Sequence, residues 1–196
     1  MKNTFEYLMS LTPVSELTKY SDARKLLLDA ITKEVTVDGI ICEFGVMEGD
    51  SARHIIRNFP DTEIYLFDSF DGLPEDWHDG RKKGSYAVKN VPVFTEKNVH
   101  VMEGWFEDTL DGFCPVKPIS LLHIDCDIYS STKTVFQNCD DYIVPGTIIL
   151  FDELYNYTYY KHHEYKAFLE WAVYCERDFE YIGRSAATQA CVRVVK

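Results

Sequence analysis

Ile40-Ile41-Cys42-Glu43-Phe44-Gly45-Val46-Met47-Glu48-Gly49-Asp50-Ser51 is the stretch that decides the fold. An apolar run ends in an acid, and a Gly-x-x-x-Gly turn then opens a helix capped by Asp50 or Ser51. Gly45 lets the chain turn tightly, and Gly49 lets a ligand approach the backbone. In open α/β sheets ligands bind beyond the carboxyl ends of such strands, where the strand order reverses. The spacing is not the Gly-x-Gly-x-x-Gly of dinucleotide sites. An acid ahead of the glycines repels a pyrophosphate and suits a cationic ligand. Taken alone, the segment is also compatible with an ordinary strand–turn–helix.

Outward from this stretch the same rhythm repeats. Glu63–Phe67, Val99–Glu103, Ile119–Ile124 and Thr147–Phe151 are short runs with apolar residues on consecutive positions, which suits strands covered on both faces. Helical patterns separate them: Ser51–Asn58 with Ile55, Ile56 and Phe59 inward, Ser131–Cys139, and Glu164–Cys175 with Phe168, Leu169, Ala172 and Cys175 at helical spacing. An N-terminal helix over Ser15–Lys33 turns Leu17, Leu27 and Ile31 inward, within a helical segment spanning residues 1–35. Strand–helix alternation implies a parallel sheet with right-handed crossovers. Phe179–Gly183 and Ala190–Val195 are joined by a connector too short for a crossover helix, so they form an antiparallel pair at the end of the sheet. The fold class is thus α/β, a seven-stranded, mostly parallel sheet with a C-terminal antiparallel hairpin and helices on both faces. Residues 71–94 carry no pattern; a loop of that length is a lid, a binding loop or disordered.

Composition bounds the function. The 196 residues fit one domain, and 46% apolar against 27% charged residues describes a globular chain with a real core. A net charge of −12 argues against electrostatic binding to nucleic acid or anionic membranes. No apolar run reaches the roughly 18 residues of a membrane span, and the start lacks a signal-peptide core, so a cytoplasmic address is expected. The six cysteines are irregularly spaced, with no zinc-finger pattern, and read as small buried hydrophobes in a reducing compartment.

Acids recur at the strand tips. Asp68 follows Tyr65-Leu66-Phe67, where a carboxylate can hold a ribose diol. Asp125 and Asp127 end one buried run, and Asp152 and Glu153 end another. Four acids gathered there repel one another unless a hard divalent cation such as Mg²⁺ neutralises them, or unless some are helix caps pointing away.

These segments together resemble the class I S-adenosylmethionine-dependent methyltransferases, and more closely the macrocin-type (TylF/MycF-like) sugar O-methyltransferases. The matching motifs run in order: Glu43-Phe44-Gly45-Val46 with Gly49 and Ser51; Phe67-Asp68-Ser69-Phe70-Asp71-Gly72-Leu73-Pro74; Glu103-Gly104-Trp105-Phe106; Asp125-x-Asp127-x-Tyr129; Pro145-Gly146-Thr147 leading to Asp152-Glu153; and Glu164-Tyr165-Lys166-Ala167-Phe168. The resemblance implies that Glu43 and the Gly45–Gly49 turn hold the methionine part of S-adenosyl-L-methionine, and that Ser51 and Asp125 also belong to the cofactor site. It implies that Asp68 holds the ribose, and that Ser69, Gly104 and Trp105 line the adenine. Asp125, Asp152 and Glu153 are then the Mg²⁺ ligands, and Asp127 is the general base acting on a sugar or similar vicinal diol. The chain departs from the family in carrying Cys126 between the paired acids, Glu153 as the second acid of its pair, and His123 where the family commonly has Arg.

Other features keep two readings. His162-His163 faces the acceptor or is a polar loop, and Arg81-Lys82-Lys83 meets a substrate anion or is a solvated surface. Tyr155, Tyr157, Tyr159 and Tyr160 stack on a sugar, pack in the core or join subunits, which keeps a homo-oligomer in view. His123 reads as a satisfied core histidine, and Trp77 and Trp171 as anchors. The alternatives to a metal-dependent O-methyltransferase are a metal-independent methyltransferase of the same fold, a nucleotide-binding oxidoreductase, and a non-catalytic cofactor-binding protein.

Overall fold

A computed structural model describes residues 1–14, 20–78 and 80–196. Its seven strands are β1 (Ile40–Phe44), β2 (Ile64–Asp68), β3 (Val99–Glu103), β4 (Ile119–Ile124), β5 (Ile143–Phe151), β6 (Phe179–Arg184) and β7 (Ala190–Val194). They form one sheet in the order β3-β2-β1-β4-β5-β7-β6. Strands β1 to β5 are parallel, and β7 runs antiparallel to both β5 and β6. This is the expected architecture, strand for strand.

Alternation along each strand sorts side chains onto two covered faces. Cys42, Phe44, Leu122, Ile124, Ile149 and Phe151 face one core, closed by Val135 and Phe136 of α5 (Tyr129–Cys139) and Phe168 and Trp171 of α6 (Glu164–Tyr174). Ile41, Leu66, Leu121 and Leu150 face the other, closed by Leu27, Leu28 and Ile31 of α2 (Tyr20–Ile31) and Ala52, Ile55 and Ile56 of α3 (Asp50–Asn58). Near the functional end, Phe44 stacks on Phe67 at 4.5 Å and meets Phe106 of α4 (Phe106–Thr109) edge-on at 5.2 Å. Such pairs contribute about 0.5–1.5 kcal/mol each beyond burial.

The structure differs from expectation in several places. β3 is an edge strand, only half-buried, because no strand among the described residues pairs with its outer side. β5 starts at Ile143, earlier than expected, since the Pro145-Gly146 irregularity hides the strand pattern while Thr147 ties it to Ile119. Helix α3 is capped by Gly49 in the left-handed region, with no side-chain cap; Asp50 instead pairs with Lys25 at 2.6 Å. In α6, Trp171 and Ala167 are buried, whereas Leu169 and Cys175 are only partly so. Leu27 and Ile31 face the core as expected, and Leu17 lies outside the described residues. A short helix α1 (Phe5–Ser10), capped by Thr4, precedes α2, and its flanks cover the β6 edge: Tyr181 N–H donates to Lys2 and Val14 N–H to Arg184.

Residues 71–94 fold back on themselves. Leu73 is buried and exchanges backbone hydrogen bonds with Ser85 and Gly84, and Val88 N–H donates to Phe70. Among the described residues no helix is long and apolar enough to cross a membrane.

Candidate active site

A cavity of about 330 Å³ opens over the carboxyl ends of β1, β2, β4 and β5. β1 lies between β2 and β4, so this is the point at which the sheet order reverses. Its size falls in the range of small-molecule sites.

One wall is the turn after β1 and the tip of β2. The Asp68 carboxylate accepts from the backbone N–H groups of Val46, Met47 and Phe70, each at 2.7 Å. Met47 and Phe70 hold φ of 50° and 60°, strained values that these bonds maintain. Gly45 is irreplaceable here: a Cβ would stand 1.8 Å from the Asp125 carbonyl oxygen. Asp68, Ser69, Gly45, Ser51, Gly104 and Trp105 all line the cavity, as the sequence suggests.

Two expected cofactor residues do not line it. The space beside Gly49 is filled by the Phe94 ring, 2.9 Å from where a Cβ would sit, so this glycine serves the turn rather than a ligand's approach. Glu43 is fully buried beneath the cavity because it pairs with His123, whose Nδ1 lies 2.9 Å from Oε1. Burial opposes protonation of His123, yet the hydrogen bond and charge of Glu43 outweigh it and raise the imidazole's proton affinity. The pair is only half satisfied: Glu43 Oε2 and His123 Nε2 have no hydrogen-bond partner among the described residues.

The opposite wall carries the acids after β4 and β5. Oxygens of Asp125, Asp127 and Glu153 lie within 4.8 Å of one another, and Asp125 also approaches Asp152 and His123 as closely. The expected ligand trio of Asp125, Asp152 and Glu153 is therefore divided. Asp152 is buried in the cavity wall, where Gln189 donates to its Oδ1 and Arg24 to its Oδ2, both at 3.2 Å. Asp127 takes its place beside Glu153. Burial first, then the carboxylates of Asp125 and Asp152, push the Asp127 carboxyl well above the ordinary range. Glu153 is raised by burial and by Asp152 and Asp127, and Asp125 is pushed up to about 7 by burial and Asp152 against the pull of Arg24.

Two residues to which the sequence reading gave no role organise this wall. Glu164, fully buried at the start of α6, accepts the backbone N–H of Asp127 through one oxygen and that of Glu153 through the other, both at 3.2 Å. Asp127 has φ of 63°, and this bridge holds it there. Arg24 reaches over from α2 to pair with Asp125 and Asp152. An acid opening a helix is a common cap, and an arginine on an amphipathic helix is common too, so neither stood out by type.

The remaining candidates fall elsewhere. Tyr155 is core, with its hydroxyl donated to Ser185; Tyr159 is exposed; and none of the tyrosines from 155 to 160 lines the cavity. His163 and Tyr157 meet Trp77 and His78 in ring contacts that dock the 71–94 loop. Tyr86 and Leu73 of that loop border the cavity, and Arg81 donates to Tyr86.

Comparison with known proteins agrees with this geometry. A curated relative from Streptomyces olivaceus, 8-demethyl-8-(2,3-dimethoxy-alpha-L-rhamnosyl)-tetracenomycin-C 4'-O-methyltransferase, is 29% identical over 140 residues, 60% of this chain and 53% of its own. Demethyldecarbamoylnovobiocin O-methyltransferase from Streptomyces niveus is 26% identical over 160 residues, 70% of this chain and 60% of its own. This chain thus spans little more than half the length of these relatives. Among solved structures, the calicheamicin methyltransferase CalS11 superposes with a TM-score of 0.74 at 23% identity, covering 90% of this chain and 80% of that one. The O-methyltransferase NovP does so with a TM-score of 0.68 at 21% identity, covering 90% and 79%. The sheet order and these likenesses establish the class I methyltransferase fold and leave the oxidoreductase reading without support. The family model for macrocin-O-methyltransferase (TylF) matches residues 13–169, and the chain belongs to that family.

Proposed function

We propose that this protein transfers a methyl group from S-adenosyl-L-methionine to a hydroxyl of a sugar or similar vicinal diol, with a divalent cation such as Mg²⁺ at the acid cluster. The observation that carries the reading is the cavity itself. One wall is a backbone turn tied by Asp68, and the other presents Asp125, Asp127 and Glu153 oxygens within 4.8 Å of one another. A cofactor with a sulfonium and an ammonium fits a cavity whose charged lining residues, among those described, are all acids except Arg24, and a hard cation fits an all-oxygen donor set. Burial and the neighbouring carboxylates raise the proton affinities of Asp127 and Glu153, as expected where acids crowd together.

When bound, S-adenosylmethionine supplies an electrophilic methyl group and the cation a fixed, acidified acceptor hydroxyl. Asp68 and the Gly45 turn orient the nucleoside end, with Ser69, Gly104 and Trp105 beside it. Asp125 and Glu153 hold the cation, while Asp152 secures Asp125 through their shared arginine. Asp127 accepts the hydroxyl proton, a role that its raised proton affinity favours. Glu164 keeps Asp127 and Glu153 at fixed separation. No side-chain nucleophile is required, because placing the two substrates in line supplies much of the rate. The acceptor is a small molecule: the net charge of −12 disfavours nucleic acid and anionic membranes, and the same reading gives one domain over residues 1–196 at a cytoplasmic address. Tyr159, exposed at the surface, is the aromatic candidate for a contact in a homo-oligomer.

A second reading has its own support. Arg24 already pairs with Asp125 and Asp152 and offsets part of their charge, as a metal-independent methyltransferase needs. Calorimetric titration with S-adenosylmethionine and S-adenosylhomocysteine, with and without Mg²⁺, separates the readings. Binding of both, with added heat from Mg²⁺ and turnover abolished by chelator, is expected. Turnover that survives chelation selects the metal-independent form, and no heat from either nucleoside removes the cofactor assignment.

A further inference from the structure

S-adenosylmethionine carries two positive centres, the sulfonium and the α-ammonium, and one negative one, the α-carboxylate. The cavity answers the first two abundantly, with Asp68, Asp125, Asp127, Asp152 and Glu153 on its walls. Those same groups repel a carboxylate. Among the described lining residues Arg24 is the only lysine or arginine.

Its guanidinium is committed on one side only. Nη1 donates to Asp125 Oδ2 and to Asp152 Oδ2, so both ion pairs use the same nitrogen. Nε is buried without a hydrogen-bond partner, and no hydrogen bond among the described residues engages Nη2. The Nε–Nη2 edge of a guanidinium presents two parallel N–H groups, the fork that grips a carboxylate at both oxygens. A buried donor left unmade is costly, and here it belongs to a residue on the wall of a ligand cavity. The two acids on Nη1 act as a brace that fixes the plane of the fork before any ligand arrives.

We propose that Arg24 binds the α-carboxylate of the cofactor's methionine moiety through its Nε–Nη2 edge, with Asp125 and Asp152 holding the guanidinium in position. The inference rests on the cofactor assignment under Proposed function and does not need the cation. It also gives Asp152 a purpose other than metal binding: its Oδ2 accepts from Arg24 and braces the arginine.

The test compares S-adenosylmethionine with its decarboxylated analogue, which keeps the sulfonium and the amine. Calorimetric dissociation constants are measured for the wild type, Arg24→Gln and Arg24→Lys, each checked for a native melting transition. The wild type is expected to prefer S-adenosylmethionine by about 10-fold or more, the scale of one charge-assisted bidentate pair. Arg24→Gln is expected to lose about 10–100-fold on S-adenosylmethionine and less than about 3-fold on the analogue. Arg24→Lys keeps the charge on Asp125 and Asp152 but lacks the fork, so it folds like the wild type and still loses most of the preference. Equal losses on both ligands, or wild-type discrimination in Arg24→Lys, overturn the proposal. Failure of the wild type to bind either S-adenosylmethionine or S-adenosylhomocysteine is a different result, since it removes the cofactor assignment as well.

Discussion

The two walls of the cavity are built on opposite principles. On the β1–β2 side, a single acid, Asp68, takes three backbone N–H groups at 2.7 Å and so finishes the turn before any ligand binds. On the β4–β5 side, Asp125, Asp127 and Glu153 crowd together, and burial pushes all three toward holding their protons. The first wall is electrostatically complete. The second stores repulsion that a proton or a cation relieves. An acid thus stabilises the fold on one wall and opposes it on the other, and substitutions can expose that asymmetry.

The largest effect is expected from Asp127→Asn. Loss of the base lowers methyl transfer by at least about 100-fold, measured as S-adenosylhomocysteine release with an accepted diol. Affinity for S-adenosylmethionine stays within about twofold, because the residue lies across the cavity from the Asp68 turn. The melting temperature rises at pH 8 in chelator, since a like charge has left the cluster. A fall in melting temperature would show that the second wall is not under repulsive load.

Asp68→Ala is the mirror experiment. It strands the N–H groups of Val46, Met47 and Phe70, at a cost of about 2–4 kcal/mol by the scale of hydrogen bonds to a charged acceptor. Denaturant melts are expected to show that loss, together with weaker cofactor binding. If stability is unchanged, the turn does not depend on Asp68 and the contrast between the walls fails.

How much of this contrast is legible in the sequence depends on the range of the interactions. All seven strands are readable as short apolar runs, six of which end at a glycine or an acid; the lining residues Asp68 and Asp127 follow from standing at strand tips, and Ser69 and Gly104 from the family resemblance. Partners that come from another element are not readable. Nothing local says that Arg24 will reach Asp125 across 101 positions, or that Glu164 will bridge Asp127 and Glu153. Glu43 illustrates the reverse failure: it stands at a strand tip, but the residue opposite it on β4 is His123, and that pairing draws it into the core. The Phe94 ring beside Gly49 comes from the least patterned region of the chain, so its presence had no sequence signal.

The repulsive wall also sets a pH dependence. Asp125 is pushed up to about 7 in the folded chain, and Asp127, Glu153 and Glu164 are raised as well. The folded state then holds protons that the unfolded chain has released, so the stability these groups confer is present at low pH. It is lost between the ordinary carboxylate range near 4 and the folded value near 7. In chelator the melting temperature is expected to fall from pH 5 to pH 8, by roughly 2–4 °C for each kcal/mol lost. Saturating Mg²⁺ is expected to flatten that slope, because a cation replaces the protons. A melting temperature that rises over this interval would mean that the acids are already compensated by Arg24 and His123.

The smallest effect separates two glycines within the finished wall. Gly49 has φ of 80°, where an alanine costs about 1–2 kcal/mol in backbone strain. The methyl group would also press on the far end of the Phe94 ring at 2.9 Å, an atom of a side chain that can swing aside, and not on the cavity. Gly49→Ala is therefore expected to lower stability by about that strain while leaving the dissociation constant of S-adenosylmethionine within about twofold of wild type. A selective loss of cofactor affinity with stability intact would reverse the assignment. It would mean that a ligand displaces Phe94 and approaches the Gly49 backbone after all, so that the first wall, too, is completed only on binding.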